Sequence, residues 1–325
     1  MPNQKLVVVT GAAGFIGMHL VEDLLTKGYS VLGIDNFLPA YQGHHCQLRA
    51  EYLARKYGFR ISNLELASSD IVQVLASHLT SAHSIIHLAA WPGVRQGQIN
   101  PLGYSKANLI AFTNVLEAVR ISRPRQFMFA SSSSIYGNLG LSGPVREVDA
   151  DGSNLRSYYA STKWANEILA RQYFSISEIP TIALRFFTVY GEFGRPDMAY
   201  WTFLDKMMSG SEIDLFGNSG GSRNFTYVKD CVKAITRLVE VNIKEYLPVN
   251  IALDEPVETA VMLDALARHA QKTPRIRIVE RPLVDVDATW ANRSQLESLI
   301  GKLKLTSLDE GISRFVGWFQ NQRST

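Results

Sequence analysis

The sequence predicts an α/β protein built on a doubly wound parallel sheet, followed by a smaller C-terminal α/β domain. Two observations favour this fold class and its division into two domains. Short apolar or β-branched runs alternate with helical patterns through the first 190 residues, and strands that alternate with helices are typical of a parallel sheet. Beyond Tyr190 the alternation weakens, so we predict two domains, residues 1–190 and 191–325, with an approximate and interleaved boundary. A length of 325 residues suits this division.

The individual elements follow from the spacing of apolar residues. Five runs of the first domain are predicted as strands: residues 6–9, 30–34, 84–88, 126–130 and 181–187. Four segments with apolar residues three and four apart are predicted as helices: residues 18–27, 48–57, 107–119 and 161–174. In the second domain we expect a strand over residues 249–252 and a helix over residues 261–270, and we expect that extra strands can cross back to the main sheet.

A glycine motif follows the first predicted strand directly. Residues 10–17 read Thr-Gly-Ala-Ala-Gly-Phe-Ile-Gly. Gly11 allows a tight turn, Gly14 lets backbone N–H groups approach a pyrophosphate, and Gly17 lets the following helix pack closely against the strand. Asp35 ends the second strand 18 residues after Gly17, where a carboxylate can accept hydrogen bonds from the ribose hydroxyls of an adenosine. The pattern predicts a Rossmann-type dinucleotide site; the alternative is a glycine-rich turn that binds nothing.

The residues after Asp35 favour one of the two common dinucleotides. A 2′-phosphate on the adenosine ribose is usually accommodated by a nearby Arg. Asn36, Phe37 and Leu38 follow instead. We therefore predict NAD rather than NADP as the cofactor.

Charge and hydropathy exclude several classes of protein. The net charge is +3, from 33 basic and 30 acidic residues spread along the chain, so nothing favours binding to nucleic acid or to a membrane surface. No apolar stretch approaches the roughly 18 residues that span a bilayer, and we expect no signal peptide before the glycine motif. These features predict a soluble protein.

The two cysteines, Cys46 and Cys231, offer no disulfide framework and fit a reducing compartment. Cys46 follows His44 and His45. Three adjacent residues in regular structure cannot all direct their side chains at one ion. We therefore expect a cytoplasmic protein without a metal site.

Tyr159 and Lys163 are the candidate catalytic pair. They lie four residues apart on a predicted helix, so their side chains share a face. The spacing alone is weak evidence, because Tyr52 and Lys56 share it and are predicted to lie on a solvated face. Residues 129–137 read Phe-Ala-Ser-Ser-Ser-Ser-Ile-Tyr-Gly, which places hydroxyl groups at the carboxyl end of a strand. Ligands bind at that end of an open parallel sheet.

The chemistry of this pair is coherent with a bound NAD. A free tyrosine has a pKa near ~10, which is too high for a base at neutral pH. A nearby Lys⁺ and the positive nicotinamide ring both favour the phenolate, so both are expected to lower the pKa of Tyr159. Tyr159 can then take the proton of a substrate hydroxyl while a hydride leaves the same carbon for NAD⁺, with a serine hydroxyl holding the reacting oxygen in line.

With these residues the sequence resembles the extended short-chain dehydrogenase/reductase superfamily and, within it, the nucleotide-sugar epimerases. The matching segments are residues 10–17, the His-Leu-Ala-Ala of 87–90, the serine run 131–134 with Tyr136-Gly137, and the Tyr-Ala-Ser-Thr-Lys of 159–163. The resemblance covers essentially the whole chain and implies the catalytic residues Ser132, Tyr159 and Lys163. It implies a larger set of NAD-binding residues: Gly11, Gly14, Phe15, Ile16, Gly17, Asp35, Asn36, Leu88, Ala89, Ala90, Asn108, Tyr159 and Lys163. It also implies that Asn108 supports the active-site helix and that two copies form a homodimer through the helices at 107–119 and 161–174.

A longer segment narrows the resemblance. Residues 184–199 read Leu-Arg-Phe-Phe-Thr-Val-Tyr-Gly-Glu-Phe-Gly-Arg-Pro-Asp-Met-Ala, which is similar to the UDP-glucuronate 4-epimerases. The resemblance implies that Thr188 and Arg195 contact the sugar, together with the serine hydroxyls of residues 132–134, which are Ser132, Ser133 and Ser134. A hexuronate carboxylate needs several donors, and small hydroxyls can surround it closely.

Arg195 and Arg95 can each be interpreted in two ways, as a substrate contact or as a surface residue. The Gly-Val-Arg of residues 93–95 also fits the UDP-glucuronate 4-epimerases, which makes Arg95 a candidate substrate contact. Both arginines stand in polar segments, so the alternative for each is a surface residue in contact with solvent.

The diphosphate has its own candidate residues. Arg223 opens the segment Arg-Asn-Phe-Thr-Tyr, which is similar to the Arg-Asp-Phe-Thr-Tyr segment that clamps the diphosphate in the family. Asn224 replaces the usual Asp, which we expect to loosen local ion pairing while leaving the role of Arg223 intact. The glycine-rich residues 217–222 either approach the pyrophosphate or form a mobile turn. Arg281 is a candidate second phosphate contact, although residues 284–292 match the family pattern only in part.

The resemblance implies reversible C4 epimerisation of UDP-glucuronate to UDP-galacturonate through a 4-keto intermediate, with NAD retained. The alternative is a UDP-glucose or UDP-N-acetylglucosamine 4-epimerase, although galactose-type epimerases usually carry Asn at the position of Thr188. Dehydratases carry Asp and Glu at the positions of Ser133 and Ser134, and UDP-glucuronate decarboxylases carry Glu at the second of these, so both are disfavoured. A sensor or scaffold without catalysis would lack Tyr159 and Lys163, and a simple oxidoreductase would release NADH.

A uronic acid adds a hazard to this reaction, because a 4-keto group beta to the C5 carboxylate invites loss of CO₂. We hypothesise that Thr188, the serines and Arg195 hold the bond between C5 and the carboxylate out of line with the carbonyl π system. Two departures from the family pattern lie near the sugar, Trp91-Pro92 and the extended loop 138–157. Both are places where the substrate preference can change.

Overall fold

The computed structural model of the protein describes residues 4–38, 45–217, 219–252 and 255–324. His44 and Asn218 lie outside these ranges. The strands are β1 (Leu6–Thr10), β2 (Ser30–Asp35), β3 (Ile61–Asn63), β4 (Ser84–His87), β5 (Gln126–Ser132), β6 (Thr181–Phe186), β7 (Thr188–Tyr190), β8 (Glu212–Phe216), β9 (Ser222–Tyr227), β10 (Tyr246–Ile251), β11 (Pro256–Glu258) and β12 (Arg275–Val279). The α-helices are α1 (Phe15–Thr26), α2 (His45–Tyr57), α3 (Ile71–Leu79), α4 (Val94–Ile99), α5 (Pro101–Ser105), α6 (Ala111–Ser122), α7 (Tyr158–Ser177), α8 (Ala199–Ser209), α9 (Val228–Glu240), α10 (Thr259–Ala270), α11 (Ser294–Ile300) and α12 (Leu308–Ser324).

Seven parallel strands form the central sheet, in the order β10-β6-β5-β4-β1-β2-β3. All five strands predicted for the first domain are present, and the doubly wound fold class is confirmed. The chain moves outward in both directions from the neighbouring strands β1 and β4, so the strand order reverses at their carboxyl ends. Open α/β sheets bind ligands at this point.

Apolar helices cover both faces of this sheet. Val7, Val8 and Val9 in β1 are fully buried. Val7 and Val9 pack on one side with residues of α1 and α9, whereas Val8 packs on the other side with residues of α3 and α6. Successive strand residues point to opposite faces, so an unbroken apolar run requires helices on both sides of the sheet.

Elements after residue 190 complete this sheet and form two small ones. β10 lies at its edge beside β6, and α9 packs against α1. β9 pairs with β7 and β11, and β8 pairs with β12. These short strands, with α8, α10 and α12, form the smaller C-terminal α/β part of the fold. The division into domains at residue 190 stays a prediction.

Two helices differ from the predicted ones where the backbone is capped or irregular. α7 begins earlier than predicted because the Ser157 side chain accepts a hydrogen bond from the Ala160 N–H at 3.1 Å and so caps the helix. The helix predicted over residues 107–119 begins as a π-helical turn, Lys106–Ile110, which continues into α6. Such turns occur frequently at functional sites.

Candidate active site

The glycine motif forms a tight turn between β1 and α1. Gly11 has a φ of +70°, and a Cβ atom there would lie 2.6 Å from the Ala89 backbone nitrogen. A Cβ atom at Gly17 would lie 2.0 Å from the Gly11 carbonyl oxygen, so a larger residue at either position would force the turn apart. The Gly14 N–H donates to the Gly11 carbonyl at 2.9 Å, and Gly14 caps α1. The N-terminus of α1 therefore lies at the carboxyl end of β1, an arrangement that suits a pyrophosphate.

Asp35 lies against this turn from the end of β2. One carboxylate oxygen accepts the Ala13 N–H at 3.0 Å and the other accepts the Phe37 N–H at 2.8 Å. Burial raises the pKa of Asp35, and the backbone N–H groups and the charge of Arg49 oppose that rise. The predicted neighbour Asn36 donates its side-chain amide to Glu65 at 3.0 Å. The basic side chain near Asp35 is that of Arg49, which belongs to α2 rather than to the residues that follow Asp35.

The remaining predicted NAD-binding residues near the turn lie in α1 and just after β4: Phe15, Ile16, Leu88, Ala89 and Ala90. The Leu88 N–H donates to the Thr10 carbonyl at 3.1 Å, and the Ala89 N–H donates to the Thr10 hydroxyl at 3.3 Å. The same hydroxyl lies 2.7 Å from Nδ1 of His87. Burial and the nearby Lys163 lower the pKa of His87 to about 3. A neutral imidazole therefore fixes the ends of β1 and β4 to each other.

Asn108 lies in the π-helical turn and connects three segments of the site. Its side-chain oxygen accepts the Trp91 N–H at 2.7 Å, and its amide donates to the Trp91 carbonyl at 3.0 Å. The amide also donates to the Thr162 hydroxyl at 3.2 Å. Asn108 thus joins the segment after β4 to α7, one residue before Lys163.

Tyr159 and Lys163 lie on the first turns of α7. Tyr159 is partly accessible, whereas Lys163 is buried and donates from Nζ to the Ala130 carbonyl at 2.9 Å. The Lys163 Nζ lies 5.9 Å from the centre of the Tyr159 ring. Burial lowers the pKa of Lys163 to about 8. Both residues reach the carboxyl end of β5, where ligands of a parallel sheet bind.

The acidity of Tyr159 is set by neighbours other than those expected. Burial raises the pKa of its phenol above the ordinary value, while a hydrogen bond with Ser132 and the charge of Arg195 lower it. We expected Lys163 to provide the lowering charge. The Lys163 ammonium is turned toward the Ala130 carbonyl instead, so in the protein alone the phenol stays protonated at neutral pH.

The serine run forms a 3₁₀ turn, Ser133–Tyr136, directly after β5. The Ser134 N–H and the Ser134 hydroxyl both donate to the Ser132 hydroxyl, at 3.2 and 2.9 Å. Ser132, the last residue of β5, is hydrogen-bonded to Tyr159, and Ser133 and Ser134 follow it in the turn. Thr188 begins β7, two residues after Phe186, the β6 residue that pairs with Ser132.

A buried ion pair that was not predicted from the sequence supports the serine turn. Arg185 of β6 and Glu167 of α7 are both buried and make two hydrogen bonds, at 2.9 and 2.7 Å. Glu167 also accepts from the Ser131 hydroxyl, and Arg185 donates to the Tyr136 hydroxyl at 2.7 Å. Buried charges are stable only when paired and hydrogen-bonded. The pair therefore fixes both ends of the turn that carries the three serines.

Arg195 lies near Tyr159, and the ring of Tyr104 lies close to both residues. Its guanidinium donates to both oxygens of Asp197, at 3.0 and 2.6 Å. A Cβ atom at Gly93 would lie 3.5 Å from both the Arg195 Nη2 and the Tyr104 hydroxyl, and the rings of Tyr104 and Tyr159 are 6.3 Å apart. Arg195 therefore lies at the candidate site rather than on a distant surface. Asp197, its partner, was missed because nothing in the sequence distinguishes it from a solvated aspartate.

Arg95 joins α4 to the loop 281–292; we call the region of this loop and the serine turn the nucleotide-sugar cleft. Its guanidinium donates to the two oxygens of Asp285 at 3.2 and 2.6 Å and stacks over the Phe216 ring at 4.8 Å. The Arg95 side chain is 53% exposed. α4, which carries Arg95, contacts α7 at Gly97, where a Cβ atom would lie 3.2 Å from the Tyr159 backbone nitrogen. Arg95 thus links the catalytic helix to the C-terminal loop 281–292.

Arg223 and Arg281 converge on the same loop. Arg223 donates to the carbonyls of Val286 at 2.6 Å and Asp287 at 3.0 Å, and Arg281 donates to the Val286 carbonyl at 3.1 Å. Burial lowers the pKa of Arg223 to about 10, and the positive charge of Arg281 adds to the effect. Two guanidinium groups held this close suit a dianionic diphosphate. Gly221 has a φ of +79°, and a Cβ atom there would lie 2.6 Å from the Asp287 carbonyl oxygen, so a glycine is required beside the Arg281 side chain.

Other contacts fasten the loop 281–292 to its surroundings. The Asn224 side-chain oxygen accepts the Ala291 N–H at 2.9 Å, so the amide replaces the expected ion pair by a hydrogen bond. From the extended loop 138–157, Asn138 exchanges two hydrogen bonds with Asp287, at 2.9 and 3.0 Å. Trp91, the other departure from the family pattern, packs edge-on against Tyr104 with ring centres 5.7 Å apart. Both departures therefore lie at the site.

Comparison with known proteins identifies the family. A family model described as the NAD dependent epimerase/dehydratase family matches residues 7–252. The chain belongs to this family. A Rhizobium meliloti protein named probable UDP-glucuronate 4-epimerase is 35% identical over 335 residues, which cover 97% of each chain. UDP-glucuronate 4-epimerase 4 of Arabidopsis thaliana is 33% identical over 98% of this chain and 76% of its own. The family predicted from the sequence is confirmed.

A solved structure extends the similarity to the whole fold. The UDP-glucuronic acid 4-epimerase of Bacillus cereus, crystallised with UDP-glucuronic acid and NAD, matches with a TM-score of 0.89 at 29% identity. The match covers 98% of this chain and 99% of the Bacillus cereus chain. The sheet order and the C-terminal α/β part described above therefore belong to a fold that binds this nucleotide sugar in another protein.

Three further features concern the described ranges: membrane spans, metal sites and cysteines. No helix there combines the length and the apolarity that a bilayer crossing needs. In the same part of the chain, no group of three His, Cys, Asp or Glu side chains is arranged to hold a metal ion. Cys46 and Cys231 are both free thiols, and Cys231 is buried.

Proposed function

We propose that the protein is an NAD-dependent UDP-glucuronate 4-epimerase that interconverts UDP-glucuronate and UDP-galacturonate. The observation that carries the proposal is the convergence of Tyr159, Ser132 and Arg195 at the carboxyl end of the sheet. These groups supply a proton acceptor, a hydroxyl that positions the reacting oxygen, and a cation for a uronate carboxylate. The named relatives and the Bacillus cereus complex support the same substrate.

The residues present fit NAD as the resident cofactor. The crowded glycine turn lies at the N-terminus of α1, and Asp35 is held against it by two backbone N–H groups. The turn would hold the pyrophosphate, and Asp35 the adenosine ribose. Bound NAD⁺ accepts the C4 hydride and later returns it. We propose that residues 1–190 serve the cofactor in this way and that residues 191–325 serve the nucleotide sugar.

Tyr159 is the proton acceptor of the proposed reaction. Its phenol takes the 4-hydroxyl proton as the C4–H bond breaks, and it gives the proton back when that bond forms again on the opposite face. Ser132, hydrogen-bonded to the same phenol, holds the reacting oxygen in line. Because burial raises the pKa of Tyr159, the phenolate needs positive charge nearby, and the charge of Arg195 lowers that pKa.

The diphosphate is the fixed end of the substrate. Arg223 and Arg281 are held by the Val286 carbonyl and are positioned for the two phosphates. The sugar must turn over about its link to the diphosphate, so its pocket has to accept two orientations. Small hydroxyls of the serine turn and of Thr188 can serve both orientations, because each can donate and accept hydrogen bonds.

We also propose a homodimer and a cytoplasmic location. Exposed apolar side chains lie along the outer faces of the π-helical turn, α6 and α7: Ile110, Ile121, Ile168 and Ile176. Covering such side chains against a second copy would stabilise a dimer. Two free thiols support a reducing compartment. Light scattering of the purified protein is expected to give twice the 36.2 kDa chain mass.

The direct test is incubation of the purified protein with UDP-glucuronate, UDP-glucose and UDP-N-acetylglucosamine in separate reactions, with products resolved by NMR. UDP-galacturonate is expected from the first, without added NAD and without net NADH. Faster conversion of UDP-glucose or UDP-N-acetylglucosamine would assign a different 4-epimerase. UDP-xylose as the main product would assign a decarboxylase instead.

A further inference from the structure

Arg49 is a buried arginine on a helix for which the sequence predicted a solvated face. It lies in α2 and is 1% exposed. Its Nε donates to the Phe193 carbonyl at 2.8 Å and its Nη2 donates to the Gly194 carbonyl at 2.8 Å. Its Nη1 lies 3.4 Å from the Ala13 carbonyl. The planar guanidinium fork contacts three backbone carbonyls at once.

These contacts join two parts of the active site. Ala13 belongs to the glycine turn, and its N–H donates to Asp35. Phe193 and Gly194 directly precede Arg195. The charge of Arg49 also acts on Asp35, where it opposes the rise of the pKa caused by burial. One side chain therefore connects the candidate adenosine site with the segment that carries Arg195.

The segment 192–194 needs such external support. Phe193 has a φ of +55°, a left-handed conformation that is unfavourable for a residue with a bulky side chain. A Cβ atom at Gly194 would lie 1.9 Å from the Tyr200 hydroxyl. The preceding carbonyl, of Glu192, is hydrogen-bonded to Nε2 of His19 in α1 at 2.9 Å. Three consecutive carbonyls are thus held by side chains from the cofactor side of the molecule.

We propose that Arg49 is a positioning residue that fixes the backbone before Arg195 and thereby sets the affinity for the sugar end of the nucleotide sugar. Arg49 does not touch the substrate; it acts through Arg195. The identity of the sugar rests on the proposed function, whereas the positioning of the segment does not. Through Asp35 and Ala13, the same side chain makes the sugar pocket dependent on the geometry of the cofactor turn.

The first test compares the Arg49→Lys and Arg55→Lys holoenzymes with the unchanged protein. Lys keeps the charge but lacks the planar fork whose Nε and Nη2 donate to the two carbonyls of the segment, and Arg55 is an exposed residue of the same helix. For Arg49→Lys we expect the KM for UDP-glucuronate to rise about tenfold, with kcat changed by less than about threefold. UDP, which lacks the sugar, is expected to bind with unchanged affinity. A KM that does not change, or an equal loss of affinity for UDP, would overturn the proposal.

A second readout does not depend on the substrate. Hydrogen–deuterium exchange of a peptide covering residues 191–197 is expected to be faster in the Arg49→Lys holoenzyme than in the Arg55→Lys holoenzyme. Equal exchange would overturn the proposal even if UDP-glucuronate is the substrate. If UDP-glucuronate proves not to be the substrate, the exchange result still decides the role of Arg49. If Arg49→Lys does not fold, Arg49→Gln, which also loses the guanidinium fork, is measured against Arg55→Lys in the same way, and equal exchange would overturn the proposal.

Discussion

The cofactor turn and the nucleotide-sugar cleft are held together by different kinds of contact. In the turn, backbone lies directly against backbone: a Cβ atom at Gly17 would lie 2.0 Å from the Gly11 carbonyl oxygen. In the cleft, long side chains bridge segments that are far apart in the sequence. Arg95 reaches Asp285, and Arg223 reaches the carbonyl of Val286.

This difference matches what each half does in the proposed reaction. A retained cofactor needs one geometry throughout the cycle, and a close-packed backbone turn cannot adopt two. The sugar has to turn over between the two hydride transfers, so its pocket must change contacts without losing the diphosphate. Arginine side chains that donate to carbonyls and carboxylates can exchange those partners for substrate oxygens.

The largest effect is expected at the phenol that both halves approach. Tyr159→Phe removes the proton acceptor and should lower kcat about a thousandfold, while bound NAD is retained. Tyr158→Phe is the matched control, because its hydroxyl contacts Ser105 rather than the serine turn. Activity is measured by NMR of the UDP-sugar products. An unchanged rate for Tyr159→Phe would contradict the mechanism.

The next prediction tests whether Lys163 is shielded from water in the cofactor half. The pKa of Lys163 is lowered to about 8 in the folded protein, below the ordinary value of about 10.4. Between these values the unfolded chain binds the proton and the folded chain does not, so the stability of the unchanged protein should rise with pH. We expect its free energy of unfolding, relative to Lys163→Met, to increase by up to about 3 kcal/mol from pH 8 to pH 10.5.

Urea unfolding across that pH range makes the measurement. Lys106→Met, at an exposed lysine of the π-helical turn, is the control and should show a nearly constant difference from the unchanged protein. A constant difference for Lys163→Met as well would mean that Lys163 is solvated in solution.

The diphosphate clamp should give the next largest effect. Arg223→Met removes a buried guanidinium and leaves the carbonyls of Val286 and Asp287 without that donor, so UDP is expected to bind about a hundredfold more weakly. Arg277→Met changes an exposed arginine of β12 and serves as the control. Calorimetric titration with UDP measures both variants. Equal affinities would show that the diphosphate lies elsewhere.

The sequence predicted the cofactor half far better than the sugar half. The glycine motif, Asp35 and the Tyr159–Lys163 pair are contiguous or locally spaced patterns, and each lies where the pattern indicates. β3 was not predicted because a strand of three residues shows no usable alternation. β10 was expected only as a short strand, since its partner β6 lies more than 60 residues earlier.

The missed side chains share one physical cause. Arg49 is separated by 144 residues from the Phe193 carbonyl it contacts, and no local spacing reveals such a pair. Carbonyl acceptors such as that of Val286 carry no side-chain signature at all. Arg185 gave the one usable signal, a charged residue inside an apolar strand, which indicates a buried partner without naming Glu167.

The sugar hydroxyls should control what happens to the keto intermediate. Thr188→Val keeps the shape of the side chain and removes its hydroxyl, so epimerisation is expected to slow about tenfold. Some UDP-pentose and CO₂ should then form, because the carboxylate is less firmly oriented. Thr113→Val, on the surface of α6, is the control. NMR of the products, together with trapping of ¹⁴CO₂ from carboxyl-labelled substrate, gives the ratio of decarboxylation to epimerisation. If Thr188→Val releases no CO₂, the hydroxyl network is not the restraint on decarboxylation.

The smallest effect is expected at a partly exposed contact between the two halves. Arg95 and Asp285 form a partly exposed pair across the cleft, and such pairs contribute only about 0.2–1 kcal/mol. Arg95→Ala and Asp285→Ala should therefore each raise the KM for UDP-glucuronate about threefold. If the pair acts as one contact, the double variant should be no worse than either single variant, and the effect should diminish in 0.5 M salt. If Arg95 instead binds the uronate carboxylate, Arg95→Ala should be much worse than Asp285→Ala. That outcome would move Arg95 from a closing contact of the cleft to a substrate contact, and it would make the sugar half depend on the cofactor half for binding as well as for chemistry.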